Sequence, residues 1–425
     1  MEDIKNTGEN RIKKLNIWLI QRGEPLPFEK NFRKMRTGML ADKLIEKGHS
    51  VLWWTSAFDH SKKDWKFRKD TEVKINNDFK VIALKGIGYK RNVSLFRYID
   101  HKIIARKFKR MAPKELKPDI IVASMPTHDL AYEAVMFAKK NNVPILIDIR
   151  DKWPDLFLDY VPAFFRRLVK ILLSRDFLII KKTMQMADGL ISMMNNLLEW
   201  GLNYAQRKKN VRDRVFYLGS NKRVFSKKIN SKKMQNLLNS IKDKFIVTFI
   251  GVFGHNYNPS ILLDCAMKLL NKDIVFVLGG DGEFFNEIKQ KSPLLSNVIL
   301  PGWLDNDEIN ILLEYSNIGI IPATKYINAF PNKAFTYLSA GLPIISALQG
   351  EFKEIIEKYK IGFYFPPNDV DTLVDCIRRL YENRKLCKEM SKNARKIFEE
   401  MFDADKIYEG YAKHIEDIVY EYNKA

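Results

Sequence analysis

The stretch NAFPNKAFTYLSAGLPII, residues 328–345, sets Pro331 at the start of a helical pattern, with Asn332 and Lys333 beside it and Ala-Gly-Leu-Pro closing it. Proline suits a first helical position, because the N–H it lacks would be unpaired there anyway. The free amides that remain, with an ammonium next to them, make such a start a place for a phosphate. Two glycine-rich turns repeat the theme. FIGVFGHNYNP carries Gly251 and Gly254, which let backbone amides approach an anion closely, and His255 is either a further donor or a turn residue. VLGGDGEFFNEI places Gly280 in a second strand-to-helix turn, where Asp281 and Glu283 read as helix-capping acids. That run is too short for a dinucleotide fingerprint, and the sequence has no P-loop.

A third cluster is made of charge. LIDIRDKWPDLF gathers Asp148, Arg150, Asp151, Trp153 and Asp155 at the end of a buried strand pattern. Ionised groups beyond a strand end either face a ligand or brace their loop. His60, His101 and His128 are isolated, none at ligand spacing from a second metal-binding group, so no metal is expected. Cys265, Cys376 and Cys387 form no metal motif and no paired framework, which fits a reducing cytoplasm.

The elements that must position these residues follow an α/β rhythm. KLNIWLI, SVLWWTS, FKVIAL, DIIVAS, PILIDIR and DGLISM read as buried strands separated by helical stretches, and FIVTFIG, IVFVLGG, NVILPG, IGIIPA and PIISAL restart the pattern. At 425 residues the chain exceeds one comfortable core. The division is read as a first Rossmann-like domain over 1–220, a polar linker over 221–243, a second such domain over 244–400, and a final helix over 401–425 that returns to the first domain. Two doubly wound sheets bind ligands beyond the carboxyl ends of their strands, so loops from both would line one cleft.

Charge is divided unevenly. Residues 1–220 hold 44 Lys+Arg against 25 Asp+Glu, a net of +19 out of the chain's +21. A basic half suggests an anionic lipid surface, nucleic acid or an acidic substrate, or else a solvated basic face. FRYIDHKIIARKFKRM and PAFFRRLVKILLSRDFLIIKK mix apolar and basic residues at helical spacing, as interfacial helices do and as ordinary amphipathic helices also do. Nucleic acid is not favoured, since no recognised binding motif accompanies the charge. No stretch reaches the length of about 20 apolar residues that a membrane span needs, and the polar N-terminal residues lack the apolar segment of a secretory signal.

FIGVFG, VLGGDGEF, NVILPGWLDNDEI, PNKAFTYLSAGLPII and LQGEFKEII, in this order over roughly 150 residues, resemble glycosyltransferase family 4. RTGMLADKLIEKGHSVLWWTS, LKGIGYKRNVSLFRYIDH and ILIDIRDKWPD resemble its bacterial surface-polysaccharide branch. The resemblance implies the GT-B fold and retaining transfer without a metal. The donor would be a nucleotide-diphosphate sugar, with a UDP-sugar favoured, held by the second domain. The acceptor would be a polyprenyl-diphosphate-linked glycan, in capsule, O-antigen or exopolysaccharide assembly at the cytoplasmic face of the plasma membrane. It implies donor contacts at Gly251, Gly254, His255, Gly280, Trp303, Asn328, Pro331, Asn332, Lys333 and Thr336. Lys333 would neutralise the departing diphosphate. Asp151, or neighbouring Arg150, would stand near the sugar where many relatives keep a histidine, unless the pair braces the loop. Arg36, His60, Arg97, Arg106, Lys107, Arg166 and Arg167 are candidates for the acceptor or membrane side. Asn328 and Thr336 occupy positions where many relatives carry two glutamates, and Val252 and Asn258 stand where relatives tend to present Arg and Lys. A nucleotide-sugar 2-epimerase and a non-catalytic, membrane-associated nucleotide-sugar-binding subunit are the alternatives.

Overall fold

The computed structural model describes residues 13–29, 34–92, 94–159, 161–223 and 231–424. Two compact units divide the chain: Met1–Phe216 with Tyr408–Ala425, and Tyr217–Ile407.

The strands of the first unit are β1 (Asn16–Ile20), β2 (Ser50–Ser56), β3 (Phe58–Asp59), β4 (Asp64–Trp65), β5 (Thr71–Lys74), β6 (Phe79–Leu84), β7 (Ile120–Met125), β8 (Ile145–Ile149), β9 (Gly189–Ser192) and β10 (Arg214–Val215). Eight of them form one sheet in the order β10-β9-β8-β7-β1-β2-β6-β5, and β3 pairs with β4 apart from it. Within the sheet only β5 runs antiparallel, against β6 at the edge. The central strands are apolar on both faces, as a sheet covered by helices on two sides requires. Ile17 lies opposite Val51 on one side and Ile120 on the other, all buried. Trp18 and Trp54 meet edge-on at 5.5 Å, and Phe108 and Phe137 from two helices close over them.

The second unit holds β11 (Phe245–Val252), β12 (Ile274–Asp281), β13 (Val298–Gly302), β14 (Ile318–Ile321), β15 (Ile344–Ser346) and β16 (Gly362–Tyr364). All pair in parallel, in the order β13-β12-β11-β14-β15-β16. Two of its helices start where side chains cap them: Asp305 and Glu308 form a reciprocal capping box on Asn306–Tyr315, and Asp369 caps Val370–Glu382.

The stretch read as a linker is only partly one. Residues 224–230 lie outside the described residues, but Lys232–Ile241 is a helix capped by Ser231, with Met234, Leu237 and Ile241 buried in the second unit's core. Its lysines mask an apolar face at helical spacing. The last helix runs from Ala404 to Lys424.

Candidate active site

In the second unit the strand order reverses between β11 and β14, and a doubly wound sheet takes ligand in the loops at such a point. β11 ends in Gly251 and Val252. Gly251 has a φ of +137°, and a Cβ there would lie 2.9 Å from the Lys333 ammonium. The helix Asn332–Ser339 begins just after Pro331, which is its N-cap rather than its first residue, and no side chain caps it. Lys333 folds over two rings, its nitrogen 4.1 Å from the Phe249 centroid and 4.8 Å from that of Tyr257. Among the described residues that nitrogen is buried with no hydrogen-bond partner. The ring faces repay part of its desolvation, yet burial still pushes the pKa of Lys333 down to about 7. An ammonium placed so, beside uncapped helix amides, is arranged for an anion.

The other donor-side residues sit around this pair with local partners. His255 is exposed, its Nε2 3.0 Å from Glu283 Oε2. Glu283 is therefore not a helix cap, and Asp281 accepts instead from the Gly282 amide at 2.7 Å. A Cβ at Gly254 would meet only Val252 Cγ1, at an ordinary contact distance of 3.8 Å. Gly280 is required by strand packing: a Cβ there would fall 1.9 Å from the Gly251 carbonyl oxygen. Trp303 follows the edge strand β13 with its ring exposed, and its carbonyl accepts from Lys233 at 2.7 Å. Asn328 is exposed and lies over Gly350, where a Cβ would come within 2.3 Å of its Oδ1. The Thr336 hydroxyl donates to the Asn332 carbonyl at 3.2 Å.

In the first unit the charged cluster after β8 is mostly a brace. Asp148 receives Arg36 Nε at 2.9 Å and Nη2 at 2.9 Å, and Arg150 Nε at 2.9 Å. Arg150 also binds Glu24 and donates to the Thr37 hydroxyl at 2.8 Å. Glu24, which sequence reasoning passed over, accepts the Thr37 amide at 2.8 Å and so steadies the start of the helix Arg36–Glu46. Burial would lift the Asp148 carboxyl, but Arg36 and Arg150 outweigh it and hold it below its usual range. Arg36 is thus no acceptor or membrane contact. It is 1% exposed, donates to the Phe216 carbonyl at 2.5 Å and stacks over Tyr411. Arg150 likewise spends its donors on the loop. Asp151 remains half-buried, its pKa raised by burial against the opposing pull of Arg97.

His60 and Arg97 do converge, around Tyr89. Lys107 is paired with Asp70 at 2.7 Å and 2.9 Å rather than free for an acceptor. Arg106 lines a hollow of about 250 Å³ with Lys102, Arg175 and Lys182. Arg166 and Arg167 are exposed on Arg166–Leu172, a helix with no buried residue. The isolation expected of His128 fails: its Nε2 lies 2.7 Å from Asp176 Oδ1, and these two with Asp129 bring ligand atoms within 4.8 Å of one another. Sequence spacing misses this because Asp176 arrives from a different helix. Asp176 is already satisfied by His128 and by the Tyr98 hydroxyl at 3.0 Å.

Comparison with known proteins bears on the same segment. Residues 230–397 match the family Glycosyl transferases group 1. The matched segment contains Gly251, Lys333 and the helix Asn332–Ser339. The chain is 29% identical over 185 residues to the O-antigen chain mannosyltransferase C of Escherichia coli, covering 43% of this chain and 49% of that protein. It is 26% identical over 170 residues to the Escherichia coli UDP-Gal:alpha-D-GlcNAc-diphosphoundecaprenol alpha-1,3-galactosyltransferase, covering 38% of this chain and 42% of that one. The chain thus spans about half the length of the curated relatives it matches. Sucrose-phosphate synthase from Thermosynechococcus elongatus superposes with a TM-score of 0.69 at 18% identity, over 95% of this chain and 99% of that one. The fold is that of GT-B glycosyltransferases, with two Rossmann-like α/β units.

Proposed function

We propose that the protein is a retaining glycosyltransferase that moves a sugar from a nucleotide-diphosphate sugar, with UDP favoured, to a lipid-linked glycan of a bacterial surface polysaccharide. The observation that carries this reading is the buried ammonium of Lys333, without a hydrogen-bond partner among the described residues, against Gly251 and an uncapped helix start. As the bond from sugar to diphosphate breaks, negative charge builds on the phosphate oxygens. Lys333 and the amides of Asn332 and Lys333 stabilise it without needing to reorganise, and no metal is required. The acceptor hydroxyl attacks from the leaving-group side and no enzyme nucleophile takes part. Asp151, with Arg97 nearby, accepts a hydrogen bond from the sugar or the acceptor, while Asn328 and Thr336 offer neutral contacts to hydroxyls.

The acceptor's lipid calls for a surface. Phe164, Phe165, Leu168, Ile171 and Leu172 are exposed beside the exposed Arg166, Arg167 and Lys170. Apolar side chains interleaved with cations suit the interface of an anionic bilayer at the cytoplasmic face. No described helix is long and apolar enough to cross a membrane.

Calorimetric titration with UDP, together with a transfer assay, tests the proposal. Wild-type protein binds UDP, and Lys333→Ala weakens binding at least about tenfold and lowers turnover by about 10²–10³, the scale of losing one preorganised donor. Absence of binding to UDP, GDP and TDP at millimolar concentration overturns the reading. UDP binding without turnover on any acceptor assigns a binding subunit instead, and free UDP with a rearranged sugar and no acceptor assigns an epimerase.

A further inference from the structure

The first unit has its own point of strand reversal, between β1 and β7, and a second group of cations gathers there. Arg22, just past the end of β1, places Nη1 3.0 Å from the Tyr89 hydroxyl and Nη2 on Asp100. His60 Nδ1 lies 2.6 Å from the same hydroxyl, and Lys63 Nζ lies 3.3 Å from that ring nitrogen. The Arg97 guanidinium stands 4.5 Å from the Trp153 ring centroid, and the His101 ring stacks on Trp153 at 5.9 Å.

Donors outnumber acceptors in this cluster. Asp100 takes Arg22, but also the Ile87 and Gly88 amides at 2.8 Å each. Lys63 donates to neutral oxygens, the His60 carbonyl and Asn92 Oδ1, and Arg97 to the Asn92 carbonyl at 2.7 Å. Asp59 and Asp151 are the other carboxylates that face the group. Among the described residues, Arg22 Nε, Arg97 Nε and His101 Nε2 are buried with no partner, and the Arg22 and His101 side chains are almost wholly enclosed. Burial, then Arg97, Lys63 and Arg22, push His60 down to about 4. Its ring is a neutral member of a positive neighbourhood. Two orphaned guanidinium N–H groups, an imidazole nitrogen that donates in one of its tautomers and a lysine paired only to neutral atoms ask for an anion with at least three acceptor oxygens. A carboxylate has two, a phosphate more.

We propose that Arg22, Lys63, Arg97 and His101 bind a phosphate or diphosphate group. The proposal deepens the glycosyltransferase reading, on which it rests for calling this ligand the acceptor. The anion site itself is independent of Lys333. Leu95, Phe96 and Ile99, on the helix that carries Arg97, are exposed, and they favour an amphiphile whose head group enters the cluster while its chain stays outside.

The experiment uses full-length Lys333→Ala protein, so that the second unit's site is silent, titrated with inorganic pyrophosphate, farnesyl diphosphate and farnesol. Both diphosphates bind and farnesol does not. Adding Lys63→Gln and Arg97→Gln weakens both at least about tenfold at an unchanged melting temperature, and the same two changes in Lys333-intact protein leave UDP affinity as it was. Lys63→Gln alone, a change at a partly exposed side chain, repeats the test with a smaller loss should the double change unfold the protein. Tighter binding of farnesyl diphosphate than of pyrophosphate assigns a lipid head group, and equal binding assigns a free diphosphate ligand. Failure of both to bind, or binding indifferent to Lys63 and Arg97, overturns the site while leaving the UDP result standing. Loss of UDP binding in the intact protein, with the diphosphates still bound, sinks the donor reading and not this one.

Discussion

The two sheets reverse their strand order in the same manner, yet they line the ends of their strands with opposite chemistry. Beyond β8 in the first unit, two buried arginines are locked to Asp148 and Glu24, so that each of these four charges has a protein counter-charge. Beyond β11 in the second unit, one buried ammonium rests on two aromatic rings, with no carboxylate against it among the described residues. A charge paired by the protein holds its loop in one geometry whether or not ligand is present. A charge left to aromatic faces is incomplete until an anion arrives, and the free protein carries that cost.

The largest effect follows from removing the counter-charge where the protein supplies it. Asp148→Ala strands Arg36 and Arg150 in a buried site, and unfolding in denaturant should show a loss of about 3–5 kcal/mol. Lys333→Met is the matching change on the other side, and it should leave the ligand-free protein equally stable or more so near pH 7, because it removes an uncompensated ammonium. If Lys333→Met costs as much as Asp148→Ala, the contrast between a braced and an open site is broken.

That contrast also marks what the sequence could tell. Lys333 was legible because proline, glycine and the helical period are local signals, and the buried strands were legible as apolar runs. β5 escaped because its residues, TEVK, alternate at a sheet edge without an apolar run. The bracing of Arg36 was invisible for a different reason. Its carboxylate lies 112 positions away in the chain, and the partner of His128 lies 48 away. Only the folded topology decides such pairings, so Arg36 was expected on the acceptor or membrane side when it is among the most buried side chains.

A smaller effect comes from proton linkage at Lys333. Its pKa in the folded, ligand-free protein is about 7, against an ordinary lysine value in the unfolded chain. Between those two values the unfolded chain binds a proton that the folded protein does not, so the stability contributed by this group rises with pH across that window, and its cost is fully present below about pH 7. Anion binding restores the charge and raises the pKa. UDP affinity should therefore fall as pH rises from about 7 to about 9, by at most about tenfold per unit, above the range where phosphate itself titrates. Titrations of wild-type protein and Lys333→Met across that range check it. A pH-independent wild-type affinity would show that the ammonium takes no part.

The smallest effect is the one expected at His255, and it tests how far the open character of the second site extends. Its imidazole and the Glu283 carboxylate are 3.0 Å apart with side chains 76% and 59% exposed, so water screens the pair and its contribution to stability is at most about 0.5 kcal/mol. The His255 carbonyl is held separately, by the Thr324 hydroxyl at 2.6 Å, and that contact survives any change of side chain. His255→Ala should then leave the melting temperature almost unchanged and shift UDP affinity by no more than about threefold, far less than Lys333→Ala. A loss at His255 as large as that at Lys333 would mean that the imidazole leaves Glu283 when ligand enters. The second site would then build part of its counter-charge by rearrangement, where the first unit's brace has its own in place from the start.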